Sequence, residues 1–336
     1  MNTALQHDSK QSQPRDFGNV RAEFQALVSG SGVYDLSRRA RIKLTGGDRV
    51  RWLNGMISNN VRDLQRGNGV YAFLLNAQGR IQGDLYAFNR GDSLLVDMER
   101  GQRDKIWELF DHYIIADDVE MTDISDKIAA IGLTGPDSRA VLQRAGIPVP
   151  ELGYLQFAEV QWQQIAVTVL RAEEEIKESW QIWIGPEHVN GLWDALVKAG
   201  TTPAGSSALN LFRLSRGIPL VGQDIRDRDL PQETGQTRAL NFTKGCYLGQ
   251  EIVERIRSRG TVHRQFTAFA VEGPLPDADS KIQADGKEVG EITSSAMLPF
   301  PSGDRATALG YLRREAVGKG LRAGEATLTP SNTPIA

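Results

Sequence analysis

Apolar residues recur at helical spacing in several stretches of this chain and alternate with polar ones in others. The first pattern predicts a helix from Asn19 to Val28, stopped by Ser29-Gly-Ser-Gly32. Asp48 reads as the N-cap of a second helix, with Val50, Leu53, Met56 and Ile57 on one face. Further helices are predicted over Asp104–Ile115, Pro186–Ala199 and Ser207–Arg216. Trp107, Phe110 and Tyr113 are expected in the core. Alternation predicts a strand at Arg41–Thr45 and an antiparallel meander over residues 69–98. Its strands are Tyr71–Leu75, Ile81–Phe88 and Leu94–Met98, joined by the turn residues Asn76-Ala-Gln-Gly79 and Asn89-Arg-Gly-Asp92. From about Gln265 the runs become short and are broken by glycines, the texture of a small β-barrel or sandwich.

One stretch carries candidate chemistry. Lys244-Gly-Cys-Tyr-Leu-Gly-Gln-Glu251 holds the only cysteine of the chain. It runs straight into a short helical pattern with Ile252, Val253 and Ile256 on one face, which puts Gly249 and Gln250 at or just before the first turn. Helix N-termini carry N–H groups without intrahelical partners, and their dipole favours negative charge. Lys244 adds a cation two residues from Cys246, so the setting favours thiolate over thiol. A lone cysteine also reads as a small buried hydrophobe, and the residues alone leave both readings open. The segment 244–264 has five basic residues (Lys244, Arg255, Arg257, Arg259 and Arg264) against Glu251 and Glu254. That pattern reads as a solvated helix face or as a surface for an acidic partner.

Composition narrows the classes. A net charge of −3 gives no strong argument for nucleic acid, and there is no apolar run of membrane-spanning length. No signal-peptide pattern opens the chain, so the cytoplasm is the expected compartment. A single cysteine excludes an internal disulfide and a self-contained iron–sulfur or zinc site. The four histidines, at 7, 112, 188 and 263, show no metal-ligand spacing, and no Walker or dinucleotide loop appears. A length of 336 residues predicts two or three domains.

The stretch Lys244-Gly-Cys-Tyr-x-Gly-Gln-Glu251 resembles the signature of the YgfZ family. These are folate-binding proteins that support iron–sulfur enzymes, within the superfamily of the glycine-cleavage T-protein, an aminomethyltransferase. Tyr71 to Leu85 resembles the superfamily segment in which an aspartate faces the pterin cavity, and Leu133–Leu142 resembles its Gly-Pro-x-Ser-Arg element. Arg213–Asp224 is similar to Arg-x-Glu-x-Gly-x-Pro, and Val289–Ser295 with Ala308–Leu312 to the C-terminal barrel.

The resemblance implies an α+β, three-lobed T-protein-like fold with a C-terminal β-barrel. After a disordered tail (1–16), the first lobe would comprise 17–49 and 128–222. The second would join 50–127 to 223–262, and the third would be the barrel, 263–336. Tetrahydrofolate or a derivative is the implied cofactor, bound by Asp84, Arg213 and Tyr71, with no metal held by this chain alone. Cys246 is the implied reactive residue, in a motif of Lys244, Gly245, Cys246, Tyr247, Gly249, Gln250 and Glu251. The implied partners are iron–sulfur client enzymes or assembly proteins. The implied role is assembly or repair of [4Fe–4S] clusters, including those of tRNA-modifying enzymes.

Three departures bear on transferase activity. T-proteins carry two adjacent aspartates where this chain has Gly83-Asp84, and a glutamate where it has Ser215. Their pterin-holding Gly-Tyr-x-Gly-Glu-x-Gly loop is replaced by Arg171-Ala-Glu-Glu-Glu-Ile-Lys-Glu178, in which Glu173, Glu174 and Glu175 are the available carboxylates.

Overall fold

A computed structural model describes residues 14–172, 178–260 and 262–332. The expectations placed on the tail and on Glu173, Glu174 and Glu175 therefore lie wholly or largely outside the described residues. Backbone proximity divides the chain into two compact units. One is Met1–Asn54, Asn60–Tyr71 and Leu85–Leu209; the other is Gly55–Asn59, Ala72–Asp84 and Asn210–Ala336.

The first unit contains a six-stranded sheet in the order Thr202–Pro203, Gly32–Asp35, Ala129–Thr134, Ser179–Ile184, Ile165–Arg171, Phe157–Trp162. Only its outermost pair, Gly32–Asp35 with Thr202–Pro203, is parallel. Ala129–Thr134 is buried along its whole length, as suits an almost entirely apolar strand in the middle of a sheet. Val189, Leu192, Trp193 and Leu196 form the apolar face of the helix Val189–Lys198 and join Trp180, Ile131 and Val169 in one core. A turn of 3-10 helix, Pro186–His188, precedes that helix, so the sequence pattern found both together.

The meander forms as predicted, in a five-stranded sheet ordered Gly69–Leu75, Ile81–Asn89, Leu94–Met98, Ala40–Thr45, Glu120–Asp123. Asn76 shapes its first turn, its Oδ1 accepting from the N–H groups of Gln78 and Arg80 at 3.0 Å each. Two expectations need correction here. The carboxylate of Asp48 receives the N–H of Asp118 at 3.0 Å and the guanidinium of Arg51, so it ties a neighbouring loop in place of capping its own helix. Phe110 is fully buried against Trp52, but Tyr113 is 36% exposed and Trp107 lies half-buried beneath Arg103, because the helix Arg103–Tyr113 turns only part of its aromatic stripe inward.

In the second unit the C-terminal runs close into a barrel ordered 264–272, 303–313, 287–300, 281–284, 321–323, 326–331. Phe269, Ile282, Ile292, Leu312 and Leu328 fill it. The expected C-terminal barrel is therefore present.

Two glycines of the second unit are shaped by each other's backbone. Gly249 precedes the helix Gln250–Arg259 at φ 81°, and Gly79 closes the meander turn at φ 69°. A Cβ on Gly249 would lie 2.5 Å from the Asn76 carbonyl oxygen and 3.2 Å from the Gly79 Cα, and one on Gly79 would lie 2.7 Å from Ile252 Cβ. The turn and the helix start can approach this closely only without side chains. Gly249→Ala is expected to lower stability by about 1–3 kcal/mol from left-handed strain alone, with the backbone clash adding to it. A denaturant midpoint equal to that of the parent protein would contradict this close approach.

Candidate functional site

The loop around Cys246 is built from beneath. Asn241 accepts the N–H groups of Thr243 and Lys244 on Oδ1, both at 2.9 Å, which folds the chain into an Asx turn. Lys244 is then directed inward, where it is only 9% exposed. Its ammonium donates to the carbonyls of Ile57 at 2.6 Å and Asn59 at 2.7 Å, and it lies 4.8 Å from the centre of the Tyr247 ring. Ser58, between those two carbonyls, donates its hydroxyl to Ala239 O at 2.6 Å and accepts the N–H of Phe73 at 2.8 Å. The Leu248 N–H donates to Gly55 O at 3.0 Å. Segment 55–59 thus forms the seat of the motif. The sequence predicts a cation near the thiol; in the structure the Lys244 ammonium also serves the backbone carbonyls of Ile57 and Asn59 and faces the Tyr247 ring.

Cys246 is exposed, between an exposed Gly245 and a buried Tyr247. The reading of the lone cysteine as buried filler is excluded by that exposure. Gln250, first residue of the helix, reaches back to accept the Tyr247 N–H on Oε1 at 3.2 Å and donates its own N–H to Tyr247 O. Burial, reinforced by the negative charge of Glu254, pushes the Tyr247 phenol up to about 12. Its hydroxyl is buried with no hydrogen-bond partner among the described residues. Beyond the loop, Arg257 stacks on Phe242 at 4.9 Å and donates to Phe242 O, so one basic residue of the segment 244–264 braces the loop from the helix.

Asp84 occupies the strand Ile81–Asn89, in which residues alternate between buried and half-buried. It is half-buried and shares its strand face with Gln82 and Tyr86. Tyr71 is buried, with its ring 5.0 Å from that of Tyr86. Asp84 and Tyr86 therefore lie on one face of the same strand.

Arg213 is placed differently from the expectation of a fork open to a ligand carboxylate. Its Nη1 lies 2.6 Å from Oδ2 of Asp224, a residue with no exposure. Nε donates to Asn210 Oδ1 at 2.8 Å and Nη2 to Ser294 Oγ at 3.1 Å. The other oxygen of Asp224 receives the hydroxyls of Thr293 and Ser294. Two consecutive strand residues reach one carboxylate because the barrel register slips between Ile292 and Ser294. Sequence reading missed Asp224, Thr293, Ser294 and Ser58. The available signal was a lone carboxylate in Ile218-Pro-Leu-Val-Gly-Gln-Asp-Ile225, a run otherwise without charge.

Comparison with known proteins fits this architecture. Residues 2–244 match the GCVT N-terminal domain, and residues 263–335 match the CAF17 C-terminal beta-barrel domain. The chain belongs to the GCVT family. It is 28% identical over 309 residues to an aminomethyltransferase of Rubrobacter xylanophilus, covering 91% of this chain and 82% of that protein. It is 26% identical over 295 residues to one of Lysinibacillus sphaericus, covering 85% and 80%. The fold is similar to that of the glycine cleavage system aminomethyltransferase T of Bartonella henselae, with a TM-score of 0.85 at 20% identity over 99% of this chain and 94% of that one. The GCVT domain and the CAF17 barrel together place the chain in the aminomethyltransferase superfamily with a T-protein-like fold.

Two substitutions test the site's framework. Lys244→Met keeps the apolar stem but leaves the Ile57 and Asn59 carbonyls without this donor, an expected loss of about 1–3 kcal/mol. Thermal or chemical denaturation measures it, and an unchanged midpoint would show that the ammonium does not hold the loop. Arg213→Ala strips the buried Asp224 of its cation and should cost about 3–5 kcal/mol. Full stability of that variant would return Arg213 to the role of a ligand-facing residue.

Proposed function

We propose that this protein is a tetrahydrofolate-binding, YgfZ-like factor of the cytoplasm. In this reading it supports assembly or repair of [4Fe–4S] clusters in client enzymes, tRNA-modifying enzymes among them. The observation that carries the reading is an exposed Cys246 on a loop fixed from beneath by Lys244, in a chain that joins a GCVT domain to a CAF17 barrel. A client-facing thiol must be reachable, and this one is. The cluster is the client's cargo; this chain offers one thiolate ligand at most.

The residues present fit a folate in part. A pterin is a flat ring with amino and amide N–H groups along one edge. The carboxylate of Asp84 is the acceptor such an edge needs, and the Tyr71–Tyr86 pair offers aromatic surface beside it. When bound, tetrahydrofolate supplies nitrogens that accept one-carbon units. Arg213 does not fit the role of tail clamp, since Asp224 already takes its fork.

Calorimetric titration with tetrahydrofolate tests the binding half. Asp84→Asn is expected to weaken binding by about 1.5–3 kcal/mol, a tenfold change or more. Wild-type protein giving no heat with any reduced folate would defeat the reading. Cys246→Ser should leave stability and folate affinity in place while activity of iron–sulfur clients in cells falls; full client activity would remove the thiol from the mechanism.

A second reading, aminomethyl or one-carbon transfer to folate, is favoured by the relatives named aminomethyltransferase. Ser215 and the altered 171–178 loop weigh against it. Turnover of an aminomethyl-lipoyl carrier at the rate of a genuine T-protein would establish it in place of the first.

A further inference from the structure

The first unit contains a cleft of about 680 Å³ that none of the site residues above lines. One wall comes from the strands Ala40–Thr45 and Leu94–Met98, which put Lys43 beside its register partner Leu95. The facing wall comes from Ile165–Arg171 and Ser179–Ile184, with Thr168 paired to Trp183. Ile124, Lys127 and Ile128 close one end. The lining thus sets the apolar side chains of Leu95, Ile124, Ile128, Ala166, Trp183 and Ile184 among charged ones.

The balance of that charge is what points to a ligand. Lys43, Arg66, Arg90 and Lys127 stand against only Asp92 and Glu159. Glu159 is taken by Arg90 at 2.6 Å. Asp92 accepts the Ser93 hydroxyl at 2.9 Å. Among the described residues, the side chains of Lys43, Arg66 and Lys127 make no ion pair and no hydrogen bond. Lys43 acts on Asp92 through its charge alone, which leaves an excess of positive charge around one concave space on a protein whose net charge is −3. A cleft lined by an excess of one sign focuses the field and draws anions into it. Ammonium groups act as point charges and Arg66 offers a planar fork, a set that takes phosphate or carboxylate oxygens alike.

We propose that this cleft is a second binding site, for a small organic anion carrying at least two negative charges next to an apolar portion. The site stands independently of the folate and thiol reading, because none of its residues belongs to that site.

The test is calorimetric titration of the full chain with two probes, pyrophosphate and citrate, at low and raised salt. Saturable binding is expected, with affinity falling steeply as salt rises. Saturation by pyrophosphate alone assigns phosphate esters, and saturation by citrate alone assigns polycarboxylates. The double variant Lys43→Ala/Lys127→Ala should weaken binding at least tenfold, and Asp92→Asn should tighten it. Lys127→Ala alone, at an exposed position, reads the same effect in smaller measure if the double variant folds poorly. Arg255→Ala/Arg257→Ala removes as much charge from a different surface and should leave the dissociation constant within twofold. No saturable heat with either probe up to about 10 mM overturns the proposal. So does an equal loss in the two double variants, which would make the binding a matter of net charge alone.

Discussion

A buried ammonium is the constraint on which the motif loop depends. Taking Lys244 out of water is costly unless its donors are all but satisfied, and this chain meets that demand with two backbone carbonyls and an aromatic face. The carbonyls of Ile57 and Asn59 have to converge on one point, which fixes the path of segment 55–59. Ser58, held between them, in turn fixes Ala239 and Phe73. A single charge therefore sets the relative course of the 55–59 segment, the meander strand and the motif. Replacing the lysine with any side chain that does not donate would release all three. An arginine would bring a wider, planar head to a place shaped for a point charge.

Asp224 performs a similar service for the barrel. Its carboxylate has no exposure, and it is satisfied by a guanidinium, two hydroxyls and the Leu220 N–H. A regular strand would turn Thr293 and Ser294 to opposite faces. The register slip lets both reach the same oxygen, so the irregularity in the barrel is the means by which a buried charge is paired. That arrangement explains why Arg213, the residue whose chemistry best suits a ligand carboxylate, is occupied by the protein itself. Charged groups seen in a sequence declare what they can bind, and the folded chain decides whether a partner already stands there.

This contrast marks what the sequence could disclose. The meander, the long helices and the barrel were legible because each rests on periodic burial or turn residues, which are local. Asn76 and Gly79 announced a turn, and Val189, Leu192, Trp193 and Leu196 announced a helix face. The exposure of Cys246 was half legible, in the glycine and polar neighbours that make a poor core. What stayed hidden was long-range and polar: Lys244 reaching carbonyls nearly two hundred positions earlier, separations of 187 and 185 residues. Asp48 shows the same limit, since it sat at a cap position but found the distant Asp118 N–H a closer partner. Local pattern carries no information about which distant backbone group will arrive.

The geometry of the motif separates two duties that its spacing seemed to combine. With Lys244 turned inward and Cys246 turned outward, alternate residues of one short loop serve the fold and the solvent. Gly249 makes that division feasible: at positive φ, it lets the chain enter its helix against the meander turn. A loop anchored on both sides of an exposed residue leaves that residue little conformational freedom. On that view the motif's lysine, tyrosine and second glycine serve architecture, and the cysteine faces solvent.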